Sequence, residues 1–209
     1  MIEEYTRTAR YIEDYNIIER EPLTDCELHE FDKTETLESF NTDGIGTLLL
    51  TMRHIRNIKE KTLRYPHHAE YVSVLKESGF FSKKKVIVNG QEITPFDFTC
   101  KILFNDWKLG ETEEEITAMC VTLKGKKANG RTEEVVYDLY DEYCTETQTP
   151  SMARTTGYRA TAVANLFLEN LFTDKGVFPP ELIGKKDACY NYIMNYLKER
   201  EIHYLKTVK

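Results

Sequence analysis

The strongest pattern in this chain is Glu60-Lys61-Thr62-Leu63-Arg64-Tyr65-Pro66-His67-His68-Ala69-Glu70, where an extended run, a proline and the start of a helix follow one another. The threonine, leucine and tyrosine of this run favour a strand. Pro66 keeps the residue before it out of the helical region. Apolar residues at helical spacing then begin at Ala69 and stop before Gly79. The segment therefore predicts a strand that carries Arg64 to a turn, with a helix on the far side.

Arg64 and the histidine pair His67-His68 allow two interpretations. A guanidinium and imidazoles held where a strand meets a helix suit the binding of an anionic substrate. The alternative is a structural arginine that satisfies carbonyl groups inside the fold. The segment by itself leaves both interpretations open.

Short strands and then a helix are predicted on the N-terminal side of this segment. The strands are Thr8 to Glu13, Asn16 to Glu21, Cys26 to Phe31 and Thr36 to Phe40, and the first two form a hairpin. After Thr42-Asp43-Gly44 the period changes, because Ile45, Leu48, Leu49 and Met52 recur at helical spacing. Thr42 or Asp43 is the predicted N-cap, and Gly44 allows a close backbone approach.

The middle of the chain predicts a hairpin, a helix and two long strands. Asn89-Gly90 is a strong turn signal between Val86 and Ile93. Thr94-Pro95 then opens a helix whose predicted buried stripe is Phe96, Cys100, Leu103, Phe104 and Trp107. The strands Glu115 to Lys124 and Glu133 to Tyr143 follow. The first is apolar on both faces, which predicts a central strand covered on both sides.

The last quarter is predicted to be mainly helical. The two apolar stripes are Val163, Leu166, Phe167 and Leu171, and Cys189, Tyr192, Ile193, Tyr196 and Leu197. A short strand from Ile202 to Val208 closes the chain. These patterns predict an α+β fold with a mixed, largely antiparallel sheet covered by helices.

Composition excludes several classes of protein. The 209 residues carry a net charge of -7, which argues against general binding to nucleic acid or acidic membranes. No run of 18 apolar residues exists, and the first residues lack the pattern of a signal peptide, so a cytoplasmic protein is expected. The cysteines (Cys26, Cys100, Cys120, Cys144 and Cys189) lack metal-ligand spacing, so no metal is expected. Cys100, Cys120 and Cys189 are predicted core residues.

A second candidate site is Thr149-Pro150-Ser151-Met152-Ala153-Arg154-Thr155-Thr156-Gly157-Tyr158. Hydroxyls, unpaired N–H groups and an arginine at a helix start can bind an anion. A well-capped helix with a surface arginine is the alternative. The chain contains no self-sufficient catalytic motif: G-x-S-x-G, the P-loop, H-E-x-x-H and G-x-G-x-x-G are all absent from the sequence.

Five segments together resemble the C-terminal domain of the saccharopine dehydrogenase family, in its saccharopine reductase and lysine 6-dehydrogenase branch. They are Phe40-Asn41-Thr42-Asp43-Gly44, the run from Glu60 to His68, Leu75-Lys76-Glu77-Ser78-Gly79-Phe80-Phe81, Ser151 to Tyr158, and Gly176-Val177-Phe178-Pro179-Pro180-Glu181. The opening Glu4-Tyr5-Thr6-Arg7-x-Ala9-Arg10 is similar to the same family's entry into that domain. The resemblance covers nearly the whole chain, in order.

The resemblance implies one domain over residues 1–209, with a glyceraldehyde-3-phosphate dehydrogenase C-terminal-like fold. Its sheet-rich part, 1–148, would serve substrate binding and dimerisation. Its helical part, 149–209, would dock on a Rossmann domain supplied in cis or in trans. That Rossmann domain would bind NAD(P), and this chain alone would bind no cofactor. Phe167, Leu171, Tyr192 and Tyr196 are the candidates for contact with the Rossmann half or a homodimer partner.

The resemblance also implies roles for individual residues. Arg64 would pair with a substrate carboxylate, and His68 would hydrogen-bond the substrate or orient Arg64. Thr42-Asp43-Gly44 would line the cleft. Arg154, Thr155, Thr156 and Gly157 would lie where the substrate and cofactor halves meet. No catalytic residue is assigned.

Two positions depart from the family pattern. His67 stands where the family usually has glycine, and Arg159 stands where it tends to have proline. The expected function is the substrate-binding and dimerisation domain of an NAD(P)-dependent oxidoreductase acting on a lysine-derived amino acid. The alternative is a non-catalytic dimerising module, which these departures favour. The identity of the substrate, NAD against NADP, and an excised fragment against a stand-alone protein stay open.

Overall fold

The structure, a computed structural model, describes residues 2–31, 33–110 and 113–209. The described residues divide into two compact units at the boundary between Leu109 and Gly110. The expected change from a sheet-rich to a helical part at 148–149 does not coincide with this boundary. The long hairpin instead belongs to the same unit as the terminal helices, because those helices pack on it.

The described residues of the first unit form three separate antiparallel sheets. Its strands are β1 (Ala9–Glu13), β2 (Asn16–Arg20), β3 (Glu27–His29), β4 (Leu37–Asn41), β5 (Lys61–Arg64), β6 (Val86–Val88) and β7 (Gln91–Ile93). They pair as β1-β2, β3-β4-β5 and β6-β7. Its helices are α1 (Leu48–Thr51), α2 (His68–Glu77) and α3 (Pro95–Asp106), preceded by a 3-10 turn at Ile2–Tyr5. Both predicted hairpins and the strand–turn–helix of the segment 60–70 are confirmed.

The core of this unit forms where the 3-10 turn, β4 and α2 meet. Ile2, Tyr5, Phe40, Ala69 and Val72 are its main buried members, at 2% exposure or less. The stripe of α3 packs against them through Phe96, Cys100, Leu103 and Trp107. Phe104 was wrongly assigned to that stripe, since it is 50% exposed. The N-terminal turn is therefore part of the core that supports β5.

The turn between β5 and α2 has the geometry of a type II turn. The N–H of His68 donates to the carbonyl of Tyr65 at 3.2 Å. His67 occupies the third position with φ 73° and ψ -5°, in the left-handed region that such a turn requires there. Glycine adopts this conformation without strain, whereas histidine does so at a cost. His67 therefore stores backbone strain next to Arg64.

Replacing His67 with glycine should raise the free energy of unfolding by about 0.5–1 kcal/mol. A left-handed residue with a Cβ costs about 1–2 kcal/mol, and the greater chain entropy of glycine returns part of that gain. The lost contact between His67 and Glu70, 3.3 Å long and exposed, is worth little. Urea unfolding measures the change. His67→Ala keeps the Cβ and should not stabilise, so a gain in both variants would contradict the turn strain.

The helix after Thr42 is shorter than expected. It begins only at Leu48, its N-cap is Thr47, and it has four residues. The prediction that Thr42 or Asp43 caps it was wrong. Both side chains bond to other elements, as described below, and Gly46 at φ 59° interrupts the helical path.

The second unit is one antiparallel sheet of three strands with helices packed on it. Its elements are β8 (Ile116–Lys126), β9 (Thr132–Glu142), α4 (Ser151–Leu168), α5 (Pro180–Gly184), α6 (Asp187–Lys198) and β10 (Tyr204–Val208), with strand order β10-β9-β8. Leu139, Leu197 and Ile202 form the core between sheet and helices. The predicted closing strand is confirmed.

The prediction that β8 is central and covered on both sides was wrong. β8 is an edge strand, and its residues 120–126 are exposed. Cys120 is accordingly exposed and does not belong to the core. An apolar run records side-chain type but not the place of the strand in the sheet, and β9 is the strand that lies between two neighbours. The α+β class with antiparallel pairing is confirmed. In the described ranges, no helix has both the length and the apolar character needed to cross a bilayer.

Candidate functional site

Arg64 ends β5 with a carboxylate already bound to it. Its Nη2 lies 3.0 Å from Oε1 of Glu4, and its Nη1 donates to the Leu63 carbonyl at 2.8 Å. The two charged side chains are 37% and 33% exposed. Arg64 therefore fits both interpretations from the sequence. One of its donors satisfies a carbonyl, as in a structural arginine, and another binds the Glu4 carboxylate at a partly exposed position, as in an anion-binding arginine.

His68 and Tyr5 complete a polar group around Arg64. The His68 Nε2 and the Tyr5 hydroxyl lie 3.1 Å apart, and the His68 ring stacks on Phe40 with centroids 6.2 Å apart. Burial, and then the positive charge of Arg64, lower the pKa of His68, so the imidazole is neutral near pH 7. Burial raises the pKa of Tyr5, which keeps its phenol protonated. Glu4, Tyr5, Arg64 and His68 are called the Arg64 cluster below.

Glu60 holds the Thr42–Gly44 turn at the other end of β5. The Thr42 hydroxyl lies 3.0 Å from Oε2 of Glu60 and 2.8 Å from the hydroxyl of Thr62. The N–H of Gly44 donates to the same Oε2 at 3.0 Å, and a Cβ on Gly44 would lie 2.5 Å from the carboxylate. A side chain at position 44 would therefore push the Glu60 carboxylate out of this position.

Asp43 faces a different partner. Its two carboxylate oxygens accept hydrogen bonds from Nε and Nη2 of Arg10 at 3.1 and 3.0 Å. The Asp43 side chain is only 5% exposed, whereas that of Arg10 is 50% exposed. A two-bond pair of this kind fixes Asp43 against β1.

The two ends of β5 share one face. Glu60, Thr62 and Arg64 alternate along the chain, and Thr42 touches both Glu60 and Thr62, so these side chains point the same way. Four residues of extended chain separate Glu60 from Arg64 by about 13 Å. The charge of Glu4 also acts on Glu60 and helps to raise its pKa. The structure thus brings the predicted residues 42, 44, 64 and 68 to one face of β5, but in two groups.

Glu60→Gln should gain stability relative to the unmodified chain as pH rises. Burial raises the pKa of Glu60, and hydrogen bonds from Thr42 and Gly44 oppose this only in part. A group whose folded pKa lies above its unfolded value contributes stability that is fully present below the ordinary glutamate pKa. That contribution is lost as pH rises through the folded pKa. Glutamine does not ionise, so the variant keeps its stability. The difference in free energy of unfolding between the variant and the unmodified chain should therefore grow as pH rises above about 4.3.

Urea unfolding of both proteins between about pH 4 and pH 7 measures this difference in free energy. Glu77→Gln removes an exposed carboxylate from α2 and serves as the control, with no such trend expected. A Glu60→Gln difference that is flat or closes with rising pH would contradict the raised pKa.

The residues of the second predicted site, 154–157, lie in the first two turns of α4. Several hydrogen-bond donors at this helix start already have partners within the chain. Arg154 is buried and binds Asp141 through Nε at 3.2 Å and Nη2 at 3.1 Å, and Nη2 also donates to the Arg200 carbonyl. Thr155 is buried and donates to the Ser151 carbonyl at 2.9 Å. An internal carboxylate, that of Glu115, already accepts the Met152 N–H at 2.9 Å.

Thr156 and Gly157 are the exposed members of this group. The Thr156 hydroxyl contacts the Met152 sulfur at 3.6 Å, and a Cβ on Gly157 would meet open space. Of the four residues, these two offer atoms at the surface of the second unit.

Three carboxylates that define these contacts were not predicted from the sequence. Glu4, Glu60 and Asp141 each bind a predicted site residue from a distant part of the chain. Glu4 and Glu60 fall in segments that the sequence singled out, but nothing in the local pattern shows which cation or donor they face. Among the described residues, no group of three or more His, Cys, Asp or Glu side chains is arranged to hold a metal ion.

Known proteins resemble this chain in sequence and in fold. Residues 1–202 match the family model described as "Saccharopine dehydrogenase C-terminal domain". The fold is similar to that of the apo, histidine-tagged saccharopine dehydrogenase (L-Glu forming) from Saccharomyces cerevisiae, with a TM-score of 0.76 and 17% sequence identity. The match covers 100% of this chain and 60% of the yeast chain, so this chain spans somewhat over half the length of that enzyme. Since the family model covers almost the whole sequence, the chain belongs to the saccharopine dehydrogenase C-terminal domain family.

Proposed function

We propose that this chain is the substrate-binding and dimerisation domain of an NAD(P)-dependent oxidoreductase acting on a lysine-derived amino acid, of the saccharopine or lysine dehydrogenase type. One observation carries the proposal: the guanidinium of Arg64 binds a carboxylate in a half-exposed position beside a neutral imidazole. Amino-acid substrates present such a carboxylate, and an arginine fork matches its geometry.

The face of β5 offers complementary groups to an amino acid. In the proposed complex, the substrate carboxylate replaces that of Glu4 on Arg64, and His68 donates or accepts a hydrogen bond next to it. The hydroxyls of Thr42 and Thr62 lie further along the same face, before the carboxylate of Glu60. A cation at one end and a carboxylate at the other suit a substrate that carries both charges.

The redox chemistry belongs to a partner in this proposal. NAD(P), bound by a Rossmann domain in cis or in trans, would supply hydride transfer at a C–N bond of the substrate. The lack of G-x-G-x-x-G in this sequence supports the assignment of NAD(P) to that domain. Thr156 and Gly157 are the proposed contacts toward it, and Arg154 and Thr155 hold the turn that carries them.

A non-catalytic dimerising module is the second candidate. Glu4 already occupies Arg64, and His67 and Arg159 add bulk or charge where the family pattern has glycine and proline. In such a module, the ion pair of Glu4 and Arg64 would only stabilise the N-terminal turn.

Ligand-induced stabilisation separates the two candidates. Thermal unfolding is measured with lysine, saccharopine and aminoadipate, each over a wide range of concentrations. A ligand present at 100 times its Kd adds about 2.7 kcal/mol to the free energy of unfolding. The proposal expects such a shift for at least one of the three and no NADH binding at micromolar concentration. Three flat curves would support the module, and tight NADH binding would refute the division of labour.

A further inference from the structure

The outer edge of β8 has unpaired backbone groups. Among the described residues β8 pairs only with β9, in register from Ile116↔Glu142 to Lys126↔Thr132. Beyond one end of this ladder, the Tyr143 N–H donates to the Glu115 carbonyl at 3.0 Å. Beyond the other end, the Lys127 N–H donates to the Arg131 carbonyl at 2.9 Å. Odd-numbered residues of β8 therefore bond to β9.

The even-numbered residues of β8 consequently point their N–H and C=O groups outward, because the two directions alternate in an antiparallel ladder. This row runs over 11 residues of strand, and its second half is exposed. Long unpaired edges bind other strands unless charges, prolines or bulges prevent it. The sequence has no proline in β8 and the register has no gap, so of these three devices only charges are present, as lysines near the end of the strand.

The charges around β8 are opposite at its two ends. Glu113, Glu114 and Glu115 precede it, and Lys124, Lys126 and Lys127 lie at its end. Lys124 and Lys127 already pair with β9 glutamates, whereas Lys126 and Glu114 have no ion pair within the described ranges. An antiparallel copy of the same strand would place each acidic end against a basic end. A parallel copy would instead oppose like charges.

We propose that β8 binds β8 of a second copy of this chain, antiparallel, about a two-fold axis at Cys120. The two three-stranded sheets then form one sheet of six strands. In this register the even-numbered residues, whose N–H and C=O groups point outward, form the hydrogen-bonded pairs. The register also sets Glu114 opposite Lys126 of the partner subunit on both sides of the axis. Such a contact is isologous and closed, so it ends at a dimer.

The same register covers apolar side chains. Val121 and Leu123 are 40% and 51% exposed on β8. In the paired sheet Val121 lies beside Met119 of the partner subunit, because odd-numbered residues form the closer, non-hydrogen-bonded pairs. The pairing thus removes exposed apolar area as well as free backbone groups. It gives the dimer of the proposed function a surface, and it does not involve the Arg64 cluster.

A charge swap tests the register in the full chain. Lys126→Glu opposes two glutamates at each end of the dimer and should weaken the dimer about tenfold or more. The double variant Glu114→Lys with Lys126→Glu restores opposite charges and should recover the affinity. Lys101→Glu, at an exposed position on α3, is the control with equal net charge and should leave the dimer unchanged. Analytical ultracentrifugation over a range of concentrations measures the dissociation constants.

Two further variants report on the backbone and the axis. Thr122→Pro removes an outward N–H and leaves the β9 ladder its donors, so it should yield a folded monomer by circular dichroism and sedimentation. Cys120 lies opposite itself at about 5.5 Å between Cα atoms, so a short bifunctional maleimide should link two chains, and Cys120→Ser should prevent the link.

A monomer at all concentrations would overturn the proposal. So would a dimer that Lys126→Glu and Thr122→Pro leave intact, since its contact would lie elsewhere, such as at Phe167 and Leu171. Ligand binding at Arg64 is measured separately and does not depend on either outcome.

Discussion

Replacing Arg154 with methionine should lower the free energy of unfolding by about 3–5 kcal/mol. Its guanidinium and the Asp141 carboxylate are only 10% and 5% exposed and hydrogen-bond each other at 3.1–3.3 Å. Removing the cation leaves Asp141 charged, buried and without its main partner. The carbonyl of Arg200 also loses a donor. A buried carboxylate in this state costs far more than a surface charge.

Urea unfolding of the full chain measures the loss, and two variants define its origin. Arg159→Met removes an exposed arginine five residues along the same helix and should change stability by about 0.5 kcal/mol or less. Arg154→Met combined with Asp141→Leu removes both charges and should recover most of the loss, because apolar residues of similar size can replace a buried ion pair.

A small effect of Arg154→Met, similar to that of Arg159→Met, would contradict a structural role. It would then favour an arginine whose charge serves a ligand, as the helix start alone first suggested. The stability measurement needs no substrate, so it separates these roles without knowledge of any ligand.

Replacing Arg64 with methionine should weaken the binding of the amino acid found in the thermal screen about 100-fold. Loss of one partner of a charge-assisted carboxylate pair costs about 2–5 kcal/mol in binding, and 2.7 kcal/mol corresponds to a factor of 100. Arg64→Lys keeps the charge but loses the planar fork, so it should recover only part of the affinity. Calorimetric titration measures each dissociation constant.

Glu4→Gln is the matched variant for the same site. The Glu4 carboxylate lies 3.0 Å from Arg64 and competes with a substrate carboxylate for the same donors. The Glu4→Gln variant, which lacks this negative charge, should therefore bind the ligand more tightly than the unmodified chain. If Arg64→Met leaves affinity unchanged, or Glu4→Gln lowers it, the ligand binds elsewhere and the Arg64 cluster is structural.

Local sequence chemistry was sufficient for most of the fold. The proline at position 66 fixed where β5 ends, and Asn89-Gly90 fixed a hairpin, because these signals act through residues adjacent in the chain. The left-handed conformation of His67, at φ 73°, lies at the position where the resembled family usually has glycine. The prediction that Thr42 or Asp43 caps the next helix was wrong because their side chains bond to the distant residues Glu60 and Arg10.

In the candidate site, too, the local sequence indicated which residues to consider, and the tertiary structure decided their surroundings. The sequence singled out Arg64 and Arg154 with equal reason, as cations near a strand end and a helix start. Their surroundings differ in the fold: Arg64 stays half-exposed with Glu4, whereas Arg154 is enclosed with Asp141. Burial depends on which elements pack above a residue, and a linear pattern does not contain that information.

The amino-acid sequence by itself determined the α+β class, the family and the turn that presents Arg64, since these depend on local conformational preferences and on motif order. Only the tertiary structure decided that β8 lies at a sheet edge, and which carboxylate faces each arginine. Strand order and charge pairing join residues as far apart as Glu4 and Arg64, and their energies depend on distance and solvent exposure in the folded chain.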